Sequence, residues 1–287
     1  MPELTHSMIA TPRGRFGVRD SGNSDGTPLV MIHGWPESSY CWVPVARRLP
    51  GRLRVIAPDL RGLGDSERTP GREHYLKQEL ARDVVAQLDE MGIREFHLAG
   101  HDWGGVVAQE VALAIPERVR RLVIMNIVLI NNLRGNMETI EHVRQGSGFA
   151  YWYQHFQQTG LPEELIPGNE AAWLGYFLRD ADGRPLPQDG IDEYVRCYRI
   201  PGTPGTGANY YRTFAEDAKR WATLGDHRYP MPSLLLWGMR DPVVLPEYLN
   251  HHEECFDDVR VVRLEAGHFL QEEQPEAVAG ALDEFLP

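Results

Sequence analysis

The chain has 287 residues, with 29 Lys and Arg against 41 Asp and Glu and a formal charge of −12. That length suits one large α/β unit carrying an insertion, and the acidic balance without a basic cluster argues against nucleic acid or an anionic membrane surface and for neutral or cationic ligands. The three cysteines, Cys41, Cys197 and Cys255, are far apart and odd in number, so neither a disulfide framework nor a zinc site is indicated; with no secretory-type start and no apolar run long enough to span a bilayer, a cytoplasmic protein is the default expectation.

In chain order, Met8 to Val18 around Pro12-Arg13-Gly14 predicts two short strands joined by a turn. Buried-type strands are expected at Leu29 to His33, Leu53 to Ala57, Phe96 to Ala99 and Leu122 to Ile127, with helix-like segments between them. Leu80, Val84, Leu88 and Met91 form one helical face that Gly92 can terminate. Alternating strands and helices imply a mostly parallel sheet covered on both faces. From Asn131 to about Leu224 the alternation lapses into an aromatic, Gly- and Pro-rich stretch, helical near Ile140, Tyr151, Trp173, Tyr194 and Phe214. We read it as an inserted helical cap, dividing the chain into core 1–130, cap 131–224 and core 225–287. The alternation resumes with Ser233 to Trp237, a helix near Tyr248 to Cys255, the strand Val259 to Leu264, and a last helix with Val278, Leu282 and Phe285 on one face.

The most informative segment is Gly100-His101-Asp102-Trp103-Gly104-Gly105, between an apolar strand and a helical run. Small residues two before and two after the centre allow a sharp strand-to-helix turn that exposes the central side chain above the sheet. Here that side chain is a carboxylate, which ordinarily needs no base before it attacks. It suits saturated carbon bearing a leaving group, where attack gives an alkyl ester, better than an ordinary ester, where attack would give an anhydride. The plainer alternative is that Asp102 is a helix N-cap.

A nucleophile at the carboxyl edge of a parallel sheet needs a base and an orienting acid from later strands. His268 follows the strand Val259 to Leu264, and Asp241 follows the strand ending at Trp237, although Asp241 could equally open an Asp-Pro turn. The order nucleophile, acid, histidine matches the α/β-hydrolase arrangement. Hydrolysis of an ester also needs donors for the oxyanion. The backbone N–H groups of Trp103 and of Trp35, in His33-Gly34-Trp35-Pro36, are candidates; a cis Trp35-Pro36 bond would be accessible, since X-Pro favours trans by only about 0.5–1 kcal/mol.

His33-Gly34-Trp35-Pro36, Asp59 to Ser66, Gly100 to Gly105 and Ala266-Gly267-His268-Phe269 together resemble the aspartate-nucleophile branch of the α/β-hydrolase superfamily, which holds epoxide hydrolases, haloalkane dehalogenases and haloacetate dehalogenases. The resemblance covers nearly the whole chain and is weakest in the cap. It implies an α/β-hydrolase fold with a capped, mostly parallel sheet, no metal and no organic cofactor. Epoxide hydrolases supply two cap tyrosines to the ring oxygen, and two segments here resemble those sites. They place the role on Tyr153 and Tyr211, with Tyr151 and Tyr210 as close rivals. Haloalkane dehalogenases need indole or Asn donors for halide: Trp103 fits that scheme, Trp35 does not, and Trp152 or Trp173 could supply a cap indole. Haloacetate dehalogenases use arginines just after the nucleophile, where this chain has Trp103, Val106 and Val107.

The expected function is therefore hydrolysis of a small apolar epoxide to a vicinal diol through an ester on Asp102. The alternative is haloalkane dehalogenation by the same nucleophile; haloacetate dehalogenation and a non-catalytic ligand receptor rank lower. A homodimer is left open.

Overall fold

Eight strands make one sheet: β1 (Thr5–Thr11), β2 (Gly14–Asp20), β3 (Thr27–Ile32), β4 (Leu53–Pro58), β5 (Phe96–His101), β6 (Val119–Met125), β7 (Ser233–Gly238) and β8 (Val259–Leu264). The computed structural model describes residues 3–145 and 151–287. Strand order is β1-β2-β4-β3-β5-β6-β7-β8. The β1–β2 and β2–β4 pairs are antiparallel, and every pair from β4 to β8 is parallel.

Apolar runs set the middle of this sheet. Every residue of β5 and of β7 is buried, as a parallel strand covered on both faces requires. The edges differ: β1 is largely exposed, and β8 interleaves the exposed Arg260 and Arg263 with half-buried valines. Such charges discourage edge-to-edge pairing with another chain.

The helix Lys77–Glu90 buries Leu80, Val84 and Leu88 and packs on the helix Trp103–Ala114. It ends as the sequence predicts. Gly92 takes φ 70°, and the Ile93 N–H returns to the Leu88 carbonyl at 2.8 Å. The final helix, Pro275–Phe285, buries Val278, Leu282 and Phe285.

Between β6 and β7 lie the helices Leu133–Gln145, Trp152–Gln157, Leu161–Leu165, Glu170–Phe177, Gln188–Tyr198, Thr203–Arg212 and Phe214–Trp221. Residues 146–150 of this predicted insertion fall outside the described residues. This helical segment is tied down by the buried Lys77, whose Nζ reaches Asp217 Oδ2, the Tyr210 carbonyl and Thr213 Oγ1 at 2.8–2.9 Å.

One prediction fails. The segment from Tyr248 to Cys255 forms two 3-10 turns, Pro246–Leu249 and His252–Glu254, in place of a helix. His251 between them sits at φ 61°, a left-handed conformation that an α-helix cannot carry. Among the described residues no helix is long and apolar enough to cross a membrane.

Candidate active site

Asp102 joins β5 to the helix Trp103–Ala114 with φ 52° and ψ −132°. A non-glycine residue is strained there. Only small neighbours permit the turn: a Cβ on Gly100 would strike the Gly104 carbonyl oxygen, and one on Gly104 the carbonyls of Ile32 and His33. The Asp102 side chain makes no capping bond to its own helix, so the N-cap alternative does not describe its use.

The carboxylate is instead shared between two loops. Oδ1 accepts the Trp35 N–H at 2.8 Å, and Oδ2 lies 3.6 Å from His268 Nε2. Gly34 makes the first contact available, because a Cβ there would lie 2.8 Å from Asp102 Cγ. The Trp35–Pro36 peptide is cis. Buried His33 holds this loop: Nε2 accepts the Leu60 N–H at 3.0 Å, which leaves Nδ1 to donate to the Gly34 carbonyl at 2.8 Å. Burial lowers its pKa and keeps the ring neutral. Among the described residues no hydrogen bond runs from the Trp103 N–H to Asp102; that peptide is placed only by following it in the chain.

His268 leaves the carboxyl end of β8 and Asp241 that of β7. His268 Nδ1 meets Asp241 Oδ2 at 2.6 Å. Burial disfavours the imidazolium, yet the charge of Asp241 and hydrogen bonds to both carboxylates outweigh it and hold the pKa well above the usual histidine value. Burial likewise works against the Asp241 carboxylate. Its pKa is nonetheless lowered, by His268, by Asn126 Nδ2 at 2.7 Å and by the Val243 N–H at 2.8 Å.

Asp102 and His268 face a cavity of about 420 Å³ whose other walls include Trp152, Tyr176, Phe177 and Phe269. Tyr153 and Tyr211 both line it. Tyr153 stacks on Trp35 at 5.7 Å and 9°, and its ring meets that of Tyr211 edge to face at 5.7 Å. Burial, reinforced by the charge of Asp102, pushes both phenols well above their ordinary pKa, so each is a protonated donor at neutral pH. Their rivals turn away: Tyr151 donates to the Val243 carbonyl at 2.6 Å and Tyr210 to the Arg61 carbonyl at 2.8 Å, and neither lines the cavity.

Indole donors for a halide do not converge in the same way. Trp35 Nε1 donates to the Tyr198 hydroxyl at 2.8 Å, Trp152 Nε1 lies 3.4 Å from the Tyr176 hydroxyl, and Trp173 is not in the cavity wall. Among the described residues two groups of ligand-type atoms lie elsewhere, His6/Asp59/Asp65 and Asp65/Glu193/Cys197, and neither borders the cavity.

Sequence reasoning missed two supports. Asn126, at φ 38°, sits past β6: its amide nitrogen holds Asp241, and its Oδ1 accepts the Gly238 N–H at 2.7 Å. The second is a buried acid network behind the histidine. His101 Nε2 donates to the His268 carbonyl at 2.7 Å, and His101 Nδ1 lies 3.2 Å from Glu37 Oε2. Burial raises Glu37 to about 8 and also holds Glu272 well above the usual carboxylate value; Glu272 accepts the Tyr194 hydroxyl at 2.6 Å. Only the proximity of His101 to the elbow hinted at this in the sequence.

A strained elbow at the carboxyl end of β5, with an acid after β7 and a histidine after β8, is the arrangement of an α/β hydrolase. The chain belongs to the α/β-hydrolase fold family, whose pattern matches residues 27–275, and it is a hydrolase. It is 32% identical to the soluble epoxide hydrolase of a Corynebacterium species over 99% of this chain and 98% of that protein. Identity to epoxide hydrolase A of Mycobacterium tuberculosis is 28%, covering 98% of this chain and 97% of the relative. The solved structure of the epoxide hydrolase CorEH superposes with a TM-score of 0.79 at 29% identity, over 99% of this chain and 98% of that one.

Proposed function

We propose that the chain is an epoxide hydrolase working through a covalent ester on Asp102. The observation that carries this reading is the pair of protonated phenols, Tyr153 and Tyr211, sharing one cavity with a carboxylate whose two oxygens face a backbone donor and a histidine. The residues 131–224 act as the cap that brings the phenols over the core, and 1–130 with 225–287 form that core. Three free, buried cysteines suit a reducing, cytoplasmic setting.

In the first half-reaction Asp102 Oδ2 attacks an epoxide carbon from behind. The ring C–O bond breaks, and the departing oxygen takes a proton from Tyr153 or Tyr211, leaving a hydroxyalkyl ester and a tyrosinate. The ester carries no charge, so His268 loses one of the two carboxylates that hold its pKa up. Its proton replaces the one the tyrosine gave, and the ring becomes a base.

Neutral His268, oriented by Asp241, then takes a proton from water as the water oxygen attacks the ester carbonyl. Oδ1 becomes the oxyanion at the Trp35 N–H, with the Trp103 N–H as second donor. Collapse breaks the bond from Cγ to the alkyl-bearing oxygen, which takes the proton of the newly added hydroxyl as the diol leaves, so the Asp102 carboxylate is restored beside the imidazolium. The overall change is epoxide plus water to vicinal diol, with no metal or organic cofactor in any step.

Replacing His268 with Gln should trap the ester, visible as a mass increase on the Asp102 peptide after exposure to styrene oxide. A panel of epoxides and haloalkanes that leaves no adduct on this variant would refute the two-step mechanism. Halide release from a dibromoalkane without diol from styrene oxide would favour the haloalkane alternative.

A further inference from the structure

Over the cavity lies the turn Asp180-Ala181-Asp182-Gly183, contributed by the insertion and closed by Asp180 Oδ1, which accepts the N–H groups of Asp182 and Arg184 at 2.9 and 2.8 Å. Asp180, Ala181 and Gly183 line the cavity. Ala181 is held at both ends by the core. Its N–H donates to Glu273 Oε2 at 3.0 Å, and its carbonyl accepts Arg240 Nη2 at 3.1 Å.

The same Glu273 carboxylate grips the His268 loop on either side of the histidine. Oε2 accepts the Gly267 N–H at 2.8 Å, and Oε1 accepts the Phe269 N–H at 3.2 Å. The fit is close enough to exclude a side chain at Gly267, where a Cβ would lie 2.8 Å from Glu273 Oε1 and 3.1 Å from the Ala181 nitrogen. One carboxylate thus joins three backbone donors from two separate parts of the chain.

We propose that Glu273 is a positioning residue for the water-attack half-reaction, fixing the backbone on both sides of His268 and locking the wall turn to it through Ala181. The proposal rests on the covalent-ester reading above. Asp241 constrains only the Nδ1 side of the imidazole. The angle at which Nε2 faces a water beside Asp102 depends on the loop backbone, which Glu273 holds at the N–H groups of Gly267 and Phe269 while His101 holds the His268 carbonyl. Asp102 is held by its own elbow, so alkylation does not depend on Glu273. An amide at 273 keeps one acceptor oxygen but turns an NH2 group toward the remaining N–H, whereas alanine removes all three bonds.

The test uses the full chain as wild type, Glu273→Gln and Glu273→Ala, with styrene oxide in single-turnover rapid-quench measurements. Alkylation of Asp102 and hydrolysis of the ester are followed separately by mass spectrometry. Alkylation is expected within about twofold of wild type in both variants. Hydrolysis should fall about 10- to 100-fold in Glu273→Ala, the scale of an ~1 Å misplacement of a reacting group, with adduct accumulating, and by an intermediate factor in Glu273→Gln. If the alanine variant fails to fold, the glutamine variant carries the same comparison. Normal turnover with an unaltered hydrolysis step in the variants would overturn this proposal alone, as would equal slowing of both steps. No diol from wild type and no adduct in His268→Gln would overturn the ester reading and this proposal with it.

Discussion

Removing the hydroxyls of Tyr153 and Tyr211 while keeping their rings isolates the step that separates an epoxide from other alkylating substrates. Phenylalanine preserves the Tyr153 stack on Trp35 and the edge-to-face contacts at 5.4–5.7 Å that Tyr211 makes with Trp103, Trp35 and Tyr153. The Tyr153 hydroxyl meets Gln154 Nε2 only at 3.5 Å and otherwise interacts with Tyr211, so its loss should change stability by about 1 kcal/mol. The kinetic effect should be far larger. A positioned acid contributes about 10²–10⁴-fold, and each single variant still has the other phenol, so alkylation should slow about 10²-fold, or ~2.7 kcal/mol. The double variant should lose at least about 10⁴-fold. The rate is read as adduct formation in a His268→Gln background, where hydrolysis is blocked. A bromoalkane probe, whose leaving group needs no proton, should alkylate the double variant at the rate of its parent. If the double variant alkylates with styrene oxide within tenfold of that parent, the phenols are not the donors and the epoxide assignment fails.

Two other substitutions probe groups behind the site. Asn126→Ala strips a donor from the buried Asp241 carboxylate and strands the Gly238 N–H, so it should cost about 2–5 kcal/mol in chemical denaturation and slow hydrolysis more than alkylation; equal stability would show that Asn126 does not support Asp241. Glu272→Gln should make stability less sensitive to alkali. Glu37 and Glu272 have folded-state pKa values raised by burial, so their contribution is complete below the unfolded carboxylate value near 4.3 and declines as pH rises through the folded value, about 8 for Glu37. Melts between pH 5 and 9 should show wild type losing stability relative to the variant, by up to ~1.4 kcal/mol per pH unit for one proton. Parallel curves would mean that the pair ionises in the fold as it does in water.

Legibility in the sequence followed the range of the forces involved. The strands, the elbow and the end of the Lys77–Glu90 helix are set by neighbouring residues: apolar runs, a small-residue turn and Gly92 at φ 70°. The segment Tyr248 to Cys255 was misread because a left-handed residue at His251 leaves no mark in apolar spacing. Adjacent tyrosines on a helix point about 100° apart, so Tyr210 and Tyr211 cannot both face one cavity. Which of them does depends on how the helix Thr203–Arg212 packs, and the bond from Tyr210 to the Arg61 carbonyl settles its orientation.

By itself the sequence determined the fold family, the elbow residue and the order of Asp102, Asp241 and His268 along the chain, because these are written in local patterns and in their succession. Tertiary structure alone decided that Asn126 holds Asp241, that Glu37, His101 and Glu272 share a buried network, and that Glu273 joins the His268 loop to a turn 92 residues away. Those contacts arise where parallel strands place their loops along one edge and the helical segment between β6 and β7 comes back to it. No spacing in the chain encodes that distance, which exists only once the sheet has formed.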